Sequence, residues 1–227
     1  VAMFERILGE CPYKSPTDMG VNMVGNCIVD DEACREASRQ EIIRRYFDVQ
    51  CDHKKGKTGD AVLRKLELLM KKAGITPCQR RVVAPALEKE ALTGKPAVAM
   101  ELPDGRIVTG KTSDLLGASA ALLLNALKAL GDIEDSLHLI SPLVIDPIQH
   151  LKVDHLGNRN PRLHTDEILI ALSISAATNP VAERAMGQLS KLRGCQVHST
   201  VILAEIDEKT FKRLGVNLTC EPKFRSR

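Results

Sequence analysis

The sequence has no tryptophan, and only four phenylalanines and two tyrosines among its 227 residues. It therefore offers no aromatic platform on which bases could stack. With 32 basic against 29 acidic side chains, the formal net charge is only +3. Nucleic acid is not an expected partner of such a chain. No run approaches the ~20 apolar residues of a membrane span, and the most apolar stretch, 118–124, is followed by Asn125. No membrane partner is expected either. The cysteines Cys11, Cys27, Cys34, Cys51, Cys78, Cys195 and Cys220 are odd in number, scattered, and include no C-x-x-C pair. That spacing argues against a disulfide framework and for reduced thiols in the cytoplasm. The six histidines include no H-E-x-x-H, so no metal is expected, and no motif specifies a cofactor.

What the sequence does have is an ordinary globular composition, 44% hydrophobic, in a chain long enough for a sizeable core. Its first residues, Val1-Ala-Met-Phe-Glu-Arg-Ile-Leu-Gly9, read like the end of a helix, so the chain is expected to be the C-terminal portion of something longer. Asp30 and Asp31 can cap a helix over about 32–50, and Asp60 a second whose stripe is Leu63, Leu66, Leu69, Met70 and Ala73, stopped by Gly74. A short helix over 85–92 closes at Gly94. Residues 1–94 are thus expected to form a helical subdomain, and 95–227 an α/β sandwich domain.

The pattern changes at Lys95. A strand over 97–102, the turn Pro103-Asp104-Gly105 and a strand over 106–109 make a hairpin. Ser113 can cap a leucine-rich helix over 114–130, too apolar to lie exposed. A strand over 137–140, helices after Ser141-Pro142, His164 and Asn179-Pro180, and a strand–helix–strand unit over 197–218 complete the chain. The fold class expected is α/β, a helical subdomain followed by a three-layer α/β/α sandwich with a mixed sheet of about five strands.

The blocks Cys11-Pro-Tyr-Lys-Ser-Pro-Thr-Asp-Met-Gly-Val-Asn-Met23, Glu101-Leu-Pro-Asp-Gly-Arg-Ile-Val-Thr-Gly-Lys-Thr-Ser113 and Asn160-Pro-Arg-Leu-His-Thr-Asp-Glu167 resemble a bacterial family known as domain of unknown function 1846. So do Leu192-Arg-Gly-Cys-Gln-Val-His-Ser-Thr-Val201 and Leu214-Gly-Val-Asn-Leu-Thr-Cys-Glu-Pro222. The resemblance implies longer members with a glycine-rich N-terminal region, and an α/β part similar to cytidine deaminases. It implies no activity. A zinc deaminase needs a His or Cys two residues before a Glu, then Pro-Cys-x-x-Cys. Leu123 and Asn125 stand at the first pair and Pro142-Leu-Val-Ile145 at the second, so the zinc ligands are absent from a deaminase-like fold.

Two polar segments carry the candidate chemistry. Gly105-x-x-x-x-Gly110-Lys111-Thr112 matches the phosphate-loop spelling, but Arg106-Ile-Val108 is unsuited to curl around phosphates. Narrower and more physical is Lys111, Thr112 and Ser113 at the start of an apolar helix, where free amides and the helix dipole favour an anion. Asn158, Arg159 and Arg162 precede a second helix start and could grip a phosphate or carboxylate. His164 with Asp166 or Glu167 has the groups for acid–base work, and the same three residues also suit a simple helix cap. One function fitting these features is binding of an anionic small molecule, a nucleotide or phosphorylated metabolite, at a site shared with the missing N-terminal region. The other is a non-catalytic scaffold that forms a homo-oligomer through the leucine-rich helix and the helical subdomain.

Overall fold

The computed structural model describes residues 30–225; the expected helix end at residues 1–9 and the polar block at 11–23 lie outside them. Three helices lead the described chain: α1 (Asp31–Lys54), α2 (Asp60–Ala73) and α3 (Val83–Thr93). The Asp30 carboxylate accepts the Ala33 amide at 3.0 Å and starts α1, as its place in the sequence suggests. Asp60 lies inside the first turn of α2, whose cap position falls to Gly59. Gly74 and Gly94 end α2 and α3 in the left-handed region, φ +64° in both cases.

Four strands form one open mixed sheet among the described residues. They are β1 (Ala97–Glu101), β2 (Ile107–Lys111), β3 (Gln196–Ser199) and β4 (Asn217–Cys220), in the order β2-β1-β3-β4. β1 pairs antiparallel with both neighbours, and β3 pairs parallel with β4. The helices of this part are α4 (Ala118–Leu130), α5 (Pro142–His150), α6 (Thr165–Ala176), α7 (Pro180–Met186) and α8 (Glu205–Arg213).

The segment 137–140 forms no strand. Its backbone turns, Leu139 and Ile140 are both buried in the main core, and Leu137 is exposed. Two consecutive buried residues suit a plug between α4 and α5, whereas a sheet face needs alternation. The sheet thus has four strands rather than about five. The deaminase-like chain order, which required a strand after α4, is not reproduced.

Alternation along β1 assigns the two faces of the sheet. Val98 and Met100 join the main core with Leu122, Leu123 and Leu127 of α4. Ala99 faces the other way, onto Val82 and Ala86. Complete burial of each α4 leucine is worth about 2 kcal/mol, so this helix anchors its face of the sheet. Gly110 lets it come close. A Cβ there would lie 2.2 Å from the Leu122 amide nitrogen, a backbone atom that cannot yield. Gly110→Ala should therefore lower stability by about 3 kcal/mol in chemical denaturation, at the upper end for overpacking. A loss under about 1 kcal/mol would show that the helix–strand approach is looser than this.

The helical part is locked to the sheet by Arg80, which is 1% exposed. Its guanidinium donates to Thr219 Oγ1 (3.0 Å), Gln196 Oε1 (2.8 Å), Val197 O (3.1 Å) and Asn217 O (2.7 Å). All four acceptors are neutral. Burial and the nearby Arg44 charge pull the Arg80 pKa down to about 10, so the group stays protonated at neutral pH. Arg80→Met keeps the volume roughly and strands these acceptors. We expect a loss of about 2–4 kcal/mol by equilibrium unfolding, with Arg80→Lys rescuing only part of it.

Candidate functional site

Three helices begin around one cleft of about 740 Å³. Leu116 and Leu163 form an isolated parallel bridge, with the Leu163 amide donating to Leu115 O at 3.0 Å and the Gly117 amide to Leu163 O at 3.1 Å. Each partner of that bridge is followed at once by a helix cap, Gly117 for α4 and His164 for α6. The two N-termini are therefore neighbours by construction. α8, starting at Glu205 after Ala204, borders the same cleft.

The three N-termini differ in charge. α8 carries Glu205, Asp207 and Glu208 in its own first turn. The α6 start is filled by carboxylates, with Glu167 accepting the His164 amide at 2.7 Å and Asp207 accepting the Thr165 amide and hydroxyl, both at 2.9 Å. α4 has no acidic residue in its first turn and no side-chain cap. Its positive end is the one left uncompensated. Beside it two largely buried residues, Thr112 (4% exposed) and Ser119 (2% exposed), line the cleft with their hydroxyls. Neither hydroxyl has a hydrogen-bond partner among the described residues.

Ser113 does not cap α4. The helix starts later than the sequence suggests, because Ser113 forms a local turn in which its Oγ accepts the Leu116 amide at 3.0 Å. Gly110 lies within β2 and Gly105 in the hairpin turn at φ +83°, so the phosphate-loop spelling does not form a phosphate loop. Lys111 is exposed at the end of β2 and does not line the cleft.

The second polar segment divides. Asn160, Arg162 and His164 line the cleft. Arg159 lies in a separate surface hollow with Asp146 and His150, and Asn158 is exposed. Arg162 joins the two segments, since its Nε donates to Ser113 O at 2.6 Å while Asp114 is 4.0 Å from its Nη2. Behind it is Lys152, buried in the π-helical turn Leu151–His155, which donates to Arg162 O and Glu167 Oε2, each at 2.7 Å. Arg225 also lines the cleft. Burial, with the charge of Arg162 adding to it, pushes the Arg225 pKa below the ordinary arginine range. Two like charges lining one cleft are a setting that an anion relieves.

The acid–base partner of His164 is Asp207, not Asp166 or Glu167. The His164 ring is 3.2 Å from Asp207 Oδ2 through Nδ1. Glu167 is spent on Lys152 and the His164 backbone, and Asp166 Oδ1 is buried without a partner. The hydrogen bond to Asp207 raises the His164 pKa above the usual range, outweighing burial. Burial alone would raise Asp207, but the hydrogen bonds from His164 and Thr165 prevail and hold its carboxyl below the usual range. Asp207 lies 43 residues downstream of His164, and no local spacing signals the pair. Ser119 leaves a fainter trace as a polar, small residue at the head of a leucine-rich helix.

His198, which is fully buried, has the opposite bias. His198 lies between Thr219 (2.9 Å) and Glu221 (3.3 Å), against the Phe47 ring at 4.7 Å, and burial outweighs Glu221 to lower its pKa. A histidine whose folded pKa is raised contributes stability that is complete below ~6.5, its unfolded value, and lost as pH rises through the folded value. One whose folded pKa is lowered contributes above ~6.5 and loses that contribution as pH falls below it. The stability of the wild type relative to His164→Asn should thus be greatest below about pH 6.5 and shrink as the pH rises above it. Urea denaturation of both proteins on either side of that pH measures the trend, and a constant difference would contradict the assigned ion pair.

Among the described residues no group of His, Cys, Asp and Glu side chains could hold a metal ion, and no helix is long and apolar enough to cross a membrane. Residues 78–227 match the family described as domain of unknown function DUF1846, C-terminal, and residues 1–74 match its N-terminal counterpart. The first third is thus part of that N-terminal domain and more than a tail preceding the C-terminal one. Over 222 residues, 98% of this chain, it is 58% identical to a UPF0371 protein of Corynebacterium glutamicum and 56% identical to one of Streptococcus pneumoniae. The chain spans about half the length, 45%, of these curated relatives. It belongs to the DUF1846 (UPF0371) family.

Proposed function

We propose that the chain binds an anionic small molecule, a nucleotide or phosphorylated metabolite, with its phosphate at the N-terminus of α4. The observation that carries this reading is the pair of unpartnered hydroxyls of two otherwise buried residues, Thr112 and Ser119, lining the cleft beside the uncapped start of that helix. Both hydroxyls open to the cleft, where each could donate to a ligand oxygen. Arg162 and Arg225 supply countercharge, while the acidic groups at the mouth are occupied, Glu208 by Lys55 at 3.3 Å and Glu205 by Lys209 at 2.6 Å. In this proposal the phosphate subsite lies within this chain, the remainder of the longer protein contacts the rest of the ligand, and Lys111, Asn158 and Arg159 take no direct part.

Inorganic phosphate is the simplest probe. Titrating it into the isotopically labelled chain should shift the amides of Gly117, Ala118, Ser119 and Ala120. Ser119→Ala should weaken binding about 10-fold and Arg162→Gln about 10–100-fold, as expected for single hydrogen bonds to a charged partner. Unmoved α4 amides at saturating phosphate would sink the reading.

One observation favours self-association as a second reading. Ile170 and Ile174, one turn apart on α6, and Leu143 on α5, 83% exposed, leave apolar surface uncovered. The leucine-rich α4 cannot serve as the contact, because Leu122, Leu123 and Leu127 are fully buried. Light scattering of the wild type and an Ile170→Glu, Ile174→Glu double variant decides it: a multimer that the double variant dissolves supports association, and a wild-type monomer excludes it.

A further inference from the structure

Anion binding at α4 leaves the His164–Asp207 pair without a task, although it opens into the same cleft. We propose that the cleft is an enzyme site for phosphate monoesters, in which His164 donates the proton that the leaving oxygen takes up. This inference rests on the phosphate-binding reading above and adds chemistry to it.

The geometry is set by the backbone. Because Gly117 and His164 each follow one member of the Leu116–Leu163 bridge, the imidazole stands beside the helix end that would hold the phosphoryl group. Its Nδ1 is fixed by Asp207, which is itself held by two bonds from Thr165. Nε2 is left with no partner among the described residues, on a side chain 29% exposed at the cleft. Asp207 is a positioning residue that holds the ring and favours the imidazolium. The other charged groups near the ring are engaged elsewhere. Lys152 and Glu167 bind each other, Glu208 binds Lys55, and Glu205 binds Lys209. Arg162, Arg225 and Lys57 line the cleft as cations.

The step balances with water as the only co-reactant. A water oxygen bonds to phosphorus while the bond from phosphorus to the ester oxygen breaks, and the electron pair leaves on that oxygen. The ester oxygen takes the Nε2 proton of His164, and a proton from the attacking water restores it. Nothing is oxidised or reduced. Thr112, Ser119, Arg162 and the α4 amides would hold the non-bridging oxygens, where negative charge is concentrated.

The test uses three esters: glycerol 3-phosphate and AMP, whose alkoxide leaving groups need a proton, and p-nitrophenyl phosphate, whose phenolate does not. His164→Asn is the variant of choice because asparagine is a good helix cap, and His164→Gln with a melting curve controls for misfolding. We expect both variants to slow phosphate release from the alkyl esters about 100-fold or more, and from p-nitrophenyl phosphate by less than about 10-fold. Asp207→Asn should show the same selectivity and move the alkaline limb of the pH profile to lower pH. Equal losses on all three esters would overturn the proton-donor role. If the wild type cleaves none of the three while phosphate still shifts the α4 amides, this inference fails and the binding reading stands. If phosphate shifts nothing and no ester is cleaved, both fail.

Discussion

Arg80 carries a positive charge into the interior without a carboxylate to meet it. Such a charge is tolerated only where enough aligned dipoles replace its lost hydration, and two strand carbonyls, a glutamine and a threonine do so here. Its acceptors lie on β3 and β4, while Arg80 itself follows the turn Pro77–Gln79 that ends the first helical layer. The guanidinium thus sets the position of that layer on the sheet. Around it Phe47 packs against His198, the Cys51 thiol donates to Cys220 O at 3.2 Å, and Lys55 reaches Glu208. The last of these contacts touches the first turn of α8, so the placement of α1 and the shape of the cleft are linked through one end of the sheet.

The cleft is a consequence of the chain path. Residues 112–117 leave β2 and residues 158–164 approach α6, and the two runs meet as a two-residue parallel bridge that delivers two helix starts side by side. Helix starts concentrate unpaired amides and partial positive charge. The chain neutralises two of the three with its own carboxylates and leaves α4 open, at a place where two hydroxyls and two arginines line the cleft. Lys152, sealed behind the loop and bonded to Arg162 O and Glu167, keeps the approach run in place. A buried, paired lysine in a π-helical turn is costly to maintain, which suits a supporting role for a precise surface.

Much of the fold was legible locally. Gly74 and Gly94 stop their helices, Asp104-Gly105 makes its hairpin turn, and Asn179 accepts the Val181 amide at 3.0 Å ahead of Pro180. These are short-range effects of side chains on their own backbone, and the residue types alone predict them. The run 137–140 misled because four apolar-rich residues cannot distinguish a strand from a buried plug. Ser113 misled because its hydroxyl has two local solutions, a helix cap and a turn, and the bridge to Leu163 selects the turn. Of the candidate site, Thr112, Arg162 and His164 were readable as polar residues near helix starts. Lys111, Asn158 and Arg159 had the same credentials, and only their direction in space separates them from the cleft.

The sequence by itself determined most of the helices and the four strands that form, the mixed α/β class, the absence of zinc-deaminase ligands and the family, because each rests on residue types at fixed short spacings. Tertiary structure alone decided that Asp207, and not its neighbours in sequence, partners His164, and that Ser119 faces a cleft. It also decided that Arg80 belongs in the core. These pairings join residues 43 to 139 positions apart, and the free energy that selects them comes from burying charge and polar groups together. That quantity has no value until the whole chain has closed around them.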